Sequence, residues 1–195
     1  KFGVPLVVRS SFDDHPGTYV GEVDTLEQVL VRAVTLDANI CRISAAGVPD
    51  RPGIAFALFE KLAQRGIEID TILQNLNHAH TNDISFTIAK EDRALGERIC
   101  TDFMAETSSQ GQLLVNDSVA KLSIIGTGIT GCAEVAAKLF GTLYQLAINI
   151  EMISTSEIKI SCIIGAEHGE KALRHVHRAF GLDAQAPWEA EAAGH

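Results

Sequence analysis

The chain is written twice, and this repeat constrains its fold more than any other feature. "IAFALFEKLAQRGIEID" (54–70) aligns with "VAAKLFGTLYQLAINIE" (135–151) at a constant offset of 81. Leu58, Phe59, Leu62, Ile67 and Ile69 thereby meet Leu139, Phe140, Leu143, Ile148 and Ile150. Upstream, "AVTLDANICRISAAG" (33–47) parallels "LLVNDSVAKLSIIG" (113–126). Each reads as a strand, a short polar turn with Asp or Asn, and a second strand ending at Gly47 or Gly126. Downstream, both copies pass through "TILQN" or "MISTS" and a turn to a β-rich run, "DISFTIAK" (83–90) or "EIKISCIIG" (157–165). Amphipathic segments, 91–105 and 168–180, end the copies. Self-similarity at a fixed spacing marks duplicated structural units.

Periodicity turns each copy into strand, helix, strand, hairpin, strand, helix. Ile54, Leu58 and Leu62, joined by Phe59, give the first helix an apolar stripe. Pro52 sits near its start, where a missing N–H is harmless, and Gly66 suits its exit. One closing strand per copy makes βαββαβ, a ferredoxin-like α+β unit whose antiparallel sheet carries both helices on one face. "QLLVND" (112–117) closes the first copy. The stretch after the second copy's last helix, "LDAQAPWEAEAAGH", reads as a tail. The spare strand "VLVRAVTLD" (29–37) is therefore expected to close the second copy, hairpinning into the first as "LLVND" hairpins into the second. The expected units are 38–117, and 29–37 with 118–183, so that the first is inserted in the second. Residues 1–28 and the tail 184–195 lie outside both.

"IIGTGITGCAEVAA" (124–137) tests this reading. Gly126, Gly128 and Gly131 spell G-x-G-x-x-G between an apolar run and a helical stretch, with Glu151 twenty residues on. That spacing fits a dinucleotide-binding turn. The twin loop, "GVPDRPGIA" (47–55), has no such fingerprint. A dinucleotide fold also needs further parallel βα units over roughly 100 residues or more, whereas 64 residues follow Gly131. The loops read better as small-ligand loops or tight strand–helix turns.

Composition narrows the classes further. Net charge is −9 with no stripe of Lys and Arg, which argues against a nucleic-acid partner. No apolar run reaches the roughly 18 residues of a membrane span, and no signal peptide opens the sequence at Lys1. Cys41, Cys100, Cys132 and Cys162 are widely spaced, as expected of reduced thiols in a cytoplasmic protein. His78 and His80 lie in a polar turn, and His175 and His177 point to different helix faces; neither pair has ligand-spaced partners, so no metal site is expected. No nucleophile with its base is evident. The first loop does suit a ligand. A glycine at a helix N-terminus leaves N–H groups free to hold a carboxylate, and Asp50 beside it could take an ammonium. Together they would recognise a free amino acid. The alternative is that Asp50, Arg51 and Pro52 simply cap and start the helix.

"GVPDRPGIA", "IEIDTILQN", "NDISFTI" and "INIEMISTSEIKIS" closely resemble the C-terminal regulatory region of bacterial aspartate kinases, a tandem of ACT domains. The opening "KFGVPLVVRSSFDDHPGT" resembles that family's junction between kinase and regulatory parts, and the likeness runs over 1–182. The resemblance implies two ACT domains with the inserted topology, and a homodimer formed through them. It also implies a feedback effector, L-threonine, L-lysine or both, bound between first and second ACT domains. By position, Asp50 would meet the effector's amino or hydroxyl group. Backbone at Gly53, Ile54 and Ala55 would hold its carboxylate, Gln74 would line the pocket, and backbone at Asn149 and Ile150 would complete it. "HTND" (80–83) departs from the family's Gly-Thr-Thr-Asp turn. A second, pseudo-symmetric site would use 127–135, including Ile129, with backbone near Glu68 and Ile69 and with Thr155 and Ser156 nearby. There Ala133 and Glu134 replace a Pro-Gly pair, and Glu134 brings a negative charge toward an effector carboxylate.

Members of the family phosphorylate the side-chain carboxylate of L-aspartate with ATP. Their catalytic domain precedes this region, so ATP and magnesium belong there and no catalytic residue or cofactor is expected in this chain. It is then an excised regulatory fragment or a separate subunit that partners a catalytic chain. A ligand-free ACT dimerisation module and, on the glycine fingerprint alone, a dinucleotide-binding module are the alternatives.

Overall fold

A computed structural model describes residues 6–8, 18–20, 30–77, 81–107, 111–129 and 131–184. The tail from 185 onward, His78, His80 and most of the expected junction 1–28 lie outside the described residues. Leu6–Val8 (β1) and Thr18–Val20 (β2) pair antiparallel in a separate small sheet.

The body of the molecule follows the repeat: Leu30–Pro49 (β3), Ile54–Ala63 (α1), Thr71–Leu76 (β4), Thr81–Ala89 (β5), Arg93–Glu106 (α2), then Gln112–Thr127 (β6), Ala133–Gln145 (α3), Ile150–Ser156 (β7), Lys159–Gly165 (β8) and Gly169–Ala179 (α4). The strands form one sheet in the order β4-β5-β3-β6-β8-β7, and every pairing is antiparallel. This is an α+β architecture with an all-antiparallel sheet, as the repeat predicts. The loop holding Gly128 and Gly131 thus belongs to an antiparallel sheet, not to the parallel one that a dinucleotide fold requires.

One expectation needs correction. The spare strands do not hairpin: β3 and β6 each run straight through the polar segment expected to turn. What lies there is a bulge in each strand, where register shifts between Asp37 and Ile40 and again between Ile40 and Arg42. Asp37 Oδ1 accepts the Asn39 N–H at 2.9 Å, and Asn116 Oδ1 accepts the Ser118 N–H at 2.9 Å. These local side-chain bonds compete with the ladder and bend the strand without reversing it. The first half of β3 pairs with the second half of β6, beside β8, and the second half of β3 lies between β5 and the first half of β6.

Each half of the sheet has its own core. Ile54, Leu58 and Leu62 of α1 and Cys100 and Phe103 of α2 are buried against Ile43, Ala45, Ile84 and Phe86, and the Phe59 ring meets Phe86 edge-on at 5.6 Å. Leu139 and Leu143 of α3 and Ala172 and Val176 of α4 pack on Leu122, Ile124, Ile160 and Cys162. A third cluster forms on the helix-free face, from Ile40, Val119, Met152 and Ile163, with Leu73 packed on it. Leu73 and Met152 come from the opposite edges of the strand order. Arg42 on β3 also reaches Glu151 on β7 at 3.1 Å. Three strand spacings separate β3 from β7, about 14 Å in a flat sheet. The sheet is therefore folded over at the bulges, and its halves face each other with helices outside.

Candidate functional site

Five of the seven expected effector residues converge. Asp50, Gly53, Ile54, Ala55 and Gln74 line one cleft of about 420 Å³, with Arg51, Pro52, Phe56 and Asn82. The cleft opens where β3 ends and α1 begins. Gly53, the N-cap of α1, has φ 88°, in the left-handed region that glycine occupies without penalty. It lets the chain turn from the strand into the helix; the Ile54 N–H donates to the Arg51 carbonyl at 3.3 Å, and the other first-turn N–H groups have no intrahelical partner. No acidic side chain occupies that first turn.

Asp50 does not cap the helix. Its Oδ1 accepts a hydrogen bond from Asn82 Nδ2 at 3.0 Å across the cleft floor. The neighbouring Asp83 Oδ1 accepts the Gly47 N–H at 2.7 Å and an Asn77 Nδ2–H at 3.3 Å. Strand β5 thus ties down the end of β3 and the loop between β3 and α1 at two points, Gly47 and Asp50. Gln74 reaches the same cleft from β4, which pairs with β5 through Gln74 and Ile84. One carboxylate, two side-chain amides and a helix N-terminus therefore face one space. This set can take an ammonium at Asp50 and a carboxylate at the helix end.

Asn149 and Ile150 do not line this cleft. Ile150 opens β7 and pairs with Ile164. Sequence reasoning flagged the "HTND" turn but missed that Asn82 lines this cleft. No signal in the sequence marked it, because Asn82 meets Asp50 across 32 residues only once β3 and β5 pair.

The second loop builds a different cleft, of about 270 Å³, lined by Ile129, Gly131, Cys132, Ala133, Ala136, Thr155 and Ile160. Gly131, with φ 81°, stands at the repeat position of Asp50, and the N-cap of α3 is Cys132 in extended backbone. The lining is apolar apart from Thr155 and Cys132, and no carboxylate takes the part of Asp50. Glu134 is exposed and outside the lining, as is Ser156 at the end of β7. Glu68 and Ile69 lie elsewhere, in a cleft of about 430 Å³ along the bulge that also contains Asp70 and Lys121. Among the described residues, no helix is long and apolar enough to cross a membrane.

Comparison with known proteins gives these features a family. The ACT domain model matches residues 122–180. The aspartokinase of Thermus thermophilus is 41% identical over 185 residues, 94% of this chain and 45% of that protein. This chain spans less than half the length of such relatives. The regulatory subunit of aspartate kinase from Thermus thermophilus superimposes with TM-score 0.71 at 40% identity, covering 77% of this chain and 98% of that one. A structure of aspartokinase alpha and beta subunits matches with TM-score 0.71 at 38% identity, covering 77% and 99%. With nearly the whole of those regulatory subunits covered at such identity, this chain belongs to the ACT-domain regulatory family of the aspartokinases.

Proposed function

We propose that this chain senses the end products of a pathway and controls an aspartate kinase, the enzyme that phosphorylates L-aspartate with ATP. Its effector is L-threonine, L-lysine or both, bound in the Asp50 cleft. The observation that carries the reading is the convergence of Asp50, Gln74 and the α1 N-terminus on one open cleft with ample room for a free amino acid. Asp50 receives the amino or hydroxyl group, and the backbone of Gly53, Ile54 and Ala55 receives the carboxylate. Asn149 and Ile150 do not line the cleft within one chain, so in this reading a second copy supplies them through an ACT-mediated homodimer. The functional units are 38–117, and 29–37 with 118–183. Catalysis, with ATP and magnesium, belongs to a kinase domain or catalytic subunit that this chain partners, and the chain by itself has no kinase activity.

Control follows from linkage. An effector held between two chains favours whichever dimer arrangement binds it more tightly, and that difference in affinity biases the kinase. Calorimetry with each amino acid tests the reading. Binding tighter than about 1 mM is expected for at least one of them, an affinity of roughly −4 kcal/mol; no binding by either would sink it. A ligand-free assembly module is the second reading, favoured by the exposed Ile72 and Leu76 on edge strand β4. In that case no amino acid raises the melting temperature.

A further inference from the structure

We propose that Asn82 is a positioning residue of the effector site, holding the Asp50 carboxylate in the orientation that accepts an ammonium group; this rests on the effector reading above. Asn82 is only 4% exposed and lines the same cleft. Its backbone is fixed on both sides, paired with Val48 of β3 and Leu76 of β4. Asp50, by contrast, is exposed in the loop just after β3. A carboxylate there would sample several rotamers, and ordering it on binding would weaken any ligand. The 3.0 Å bond from Asn82 Nδ2 does that ordering in advance.

The choice of residue matters chemically. An ionised carboxylate only accepts, so the amide must turn its NH₂ toward Asp50. An amide donor is neutral: it orients Asp50 but leaves its full negative charge for the ligand. Lys or Arg at position 82 would orient it equally well and cancel the charge that an ammonium needs. Asn82 engages Oδ1 of Asp50, a residue of the cleft lining, and leaves the other carboxylate oxygen for the ligand. The class of ligand selected is a small molecule with a primary ammonium, and the discrimination is against anions and uncharged analogues.

The test is calorimetry of the whole chain with L-threonine and L-lysine for wild type, Asp50→Ala, Asn82→Ala and Asn82→Leu, with melting temperatures taken without ligand. Leu has nearly the shape of Asn and keeps the packing while losing the donor, so it decides the matter even if Asn82→Ala folds poorly. The expected result is a loss of about tenfold in affinity for both Asn82 variants, the scale of a charge-assisted hydrogen bond, with Asn82→Leu melting close to wild type. If Asp50→Ala loses binding while Asn82→Leu binds like wild type, the effector site stands and the role of Asn82 is overturned. If wild type binds neither amino acid, the effector reading falls and takes this proposal with it.

Discussion

Lys121 Nζ lies 2.9 Å from Asp70 Oδ2, and the repeat duplicates this contact with the partners' order kept: Arg42 Nη2 lies 3.1 Å from Glu151 Oε2. Arg42 and Lys121 sit at corresponding places on the two long strands, and Asp70 and Glu151 at corresponding places 81 residues apart. Each pair ties the central strand of one half of the folded sheet to the outer segment of the other half. The two braces join the same two halves as the cluster of Ile40, Val119, Met152 and Ile163 on which Leu73 packs. They also hold the segments next to Ile69 and Ile150.

The first brace has a pH signature. Burial raises the Asp70 carboxyl pKa, but hydrogen bonds from Lys121 and Thr71 and the Lys121 charge outweigh it, leaving the group below its ordinary value. A carboxyl whose folded pKa is depressed contributes stability above its unfolded pKa, near 4, and loses it as pH falls through the folded value. Asp70→Asn should therefore lower the urea midpoint at pH 7 and leave it nearly unchanged near pH 2. Because Asp70 is 40% exposed, the loss at pH 7 should stay below about 1 kcal/mol. An equal loss at both pH values would show that the ion pair contributes nothing.

Helix exits carry the second prediction. Gly66 and Ala147 occupy the same place after α1 and α3, with φ 72° and 56°. Ile67 N–H bonds to the Leu62 carbonyl at 3.2 Å, and Ile148 N–H to the Leu143 carbonyl at 3.0 Å, so both exits close in the same way. A left-handed residue strains alanine by about 1 kcal/mol and glycine hardly at all. Ala147→Gly should raise stability by a few tenths to about 1 kcal/mol, since part of the relief is offset by the freer unfolded chain. Gly66→Ala should lower it by about 1 kcal/mol. Denaturant titration of both variants checks the signs, and the same sign for both would refute the strain argument.

These residues also mark how far sequence reasoning reaches. The stripe Ile54, Leu58 and Leu62 was legible because helical burial repeats in the sequence itself, and it is buried as expected. The path of β3 and β6 was not. Asp and Asn are turn residues by composition, and only the register with the partner strand distinguishes a bulge from a reversal. Nor were the braces legible, since Arg42 and Glu151 meet only after the sheet folds over, and no periodicity encodes that contact. In the site, Asp50 and Gln74 could be assigned because each stands in a recognisable motif. Asn82 departs from that motif, and its bond to Asp50 depends on how two distant strands are placed side by side.

The four thiols should differ sharply in reactivity. Burial pushes the Cys100 and Cys162 thiols up to about 12 and raises Cys41 as well, while Cys132 is half-exposed in the second cleft. The thiolate is the reactive form, so a buried thiol with a raised pKa is inert on two counts. Ellman's reagent at pH 8 should titrate one thiol per native chain quickly, and Cys132→Ser should abolish that phase. Four thiols should react after denaturation. Fast labelling of Cys41, Cys100 or Cys162 in the native protein would contradict the packing of the cores.

The two loop clefts make opposite predictions about effector stoichiometry. The first offers a carboxylate, two amides and a helix N-terminus; in the second, apolar side chains dominate and no carboxylate faces in. An α-amino acid brings an ammonium and a carboxylate into any site it enters, and burying the ammonium without a partner is heavily penalised. Binding should therefore saturate at one amino acid per chain, and Asp50→Ala should remove it without changing the oligomeric state measured by light scattering. Asp50→Asn separates charge from shape: it keeps the side chain's size and an acceptor oxygen but lacks the negative charge. If the ammonium is the recognised group, Asp50→Asn should weaken binding by at least about tenfold, the worth of a charge-assisted bond. Two effectors per chain would add the Ile129–Thr155 cleft as a second site, and binding that survives in Asp50→Ala would move the sensing site there.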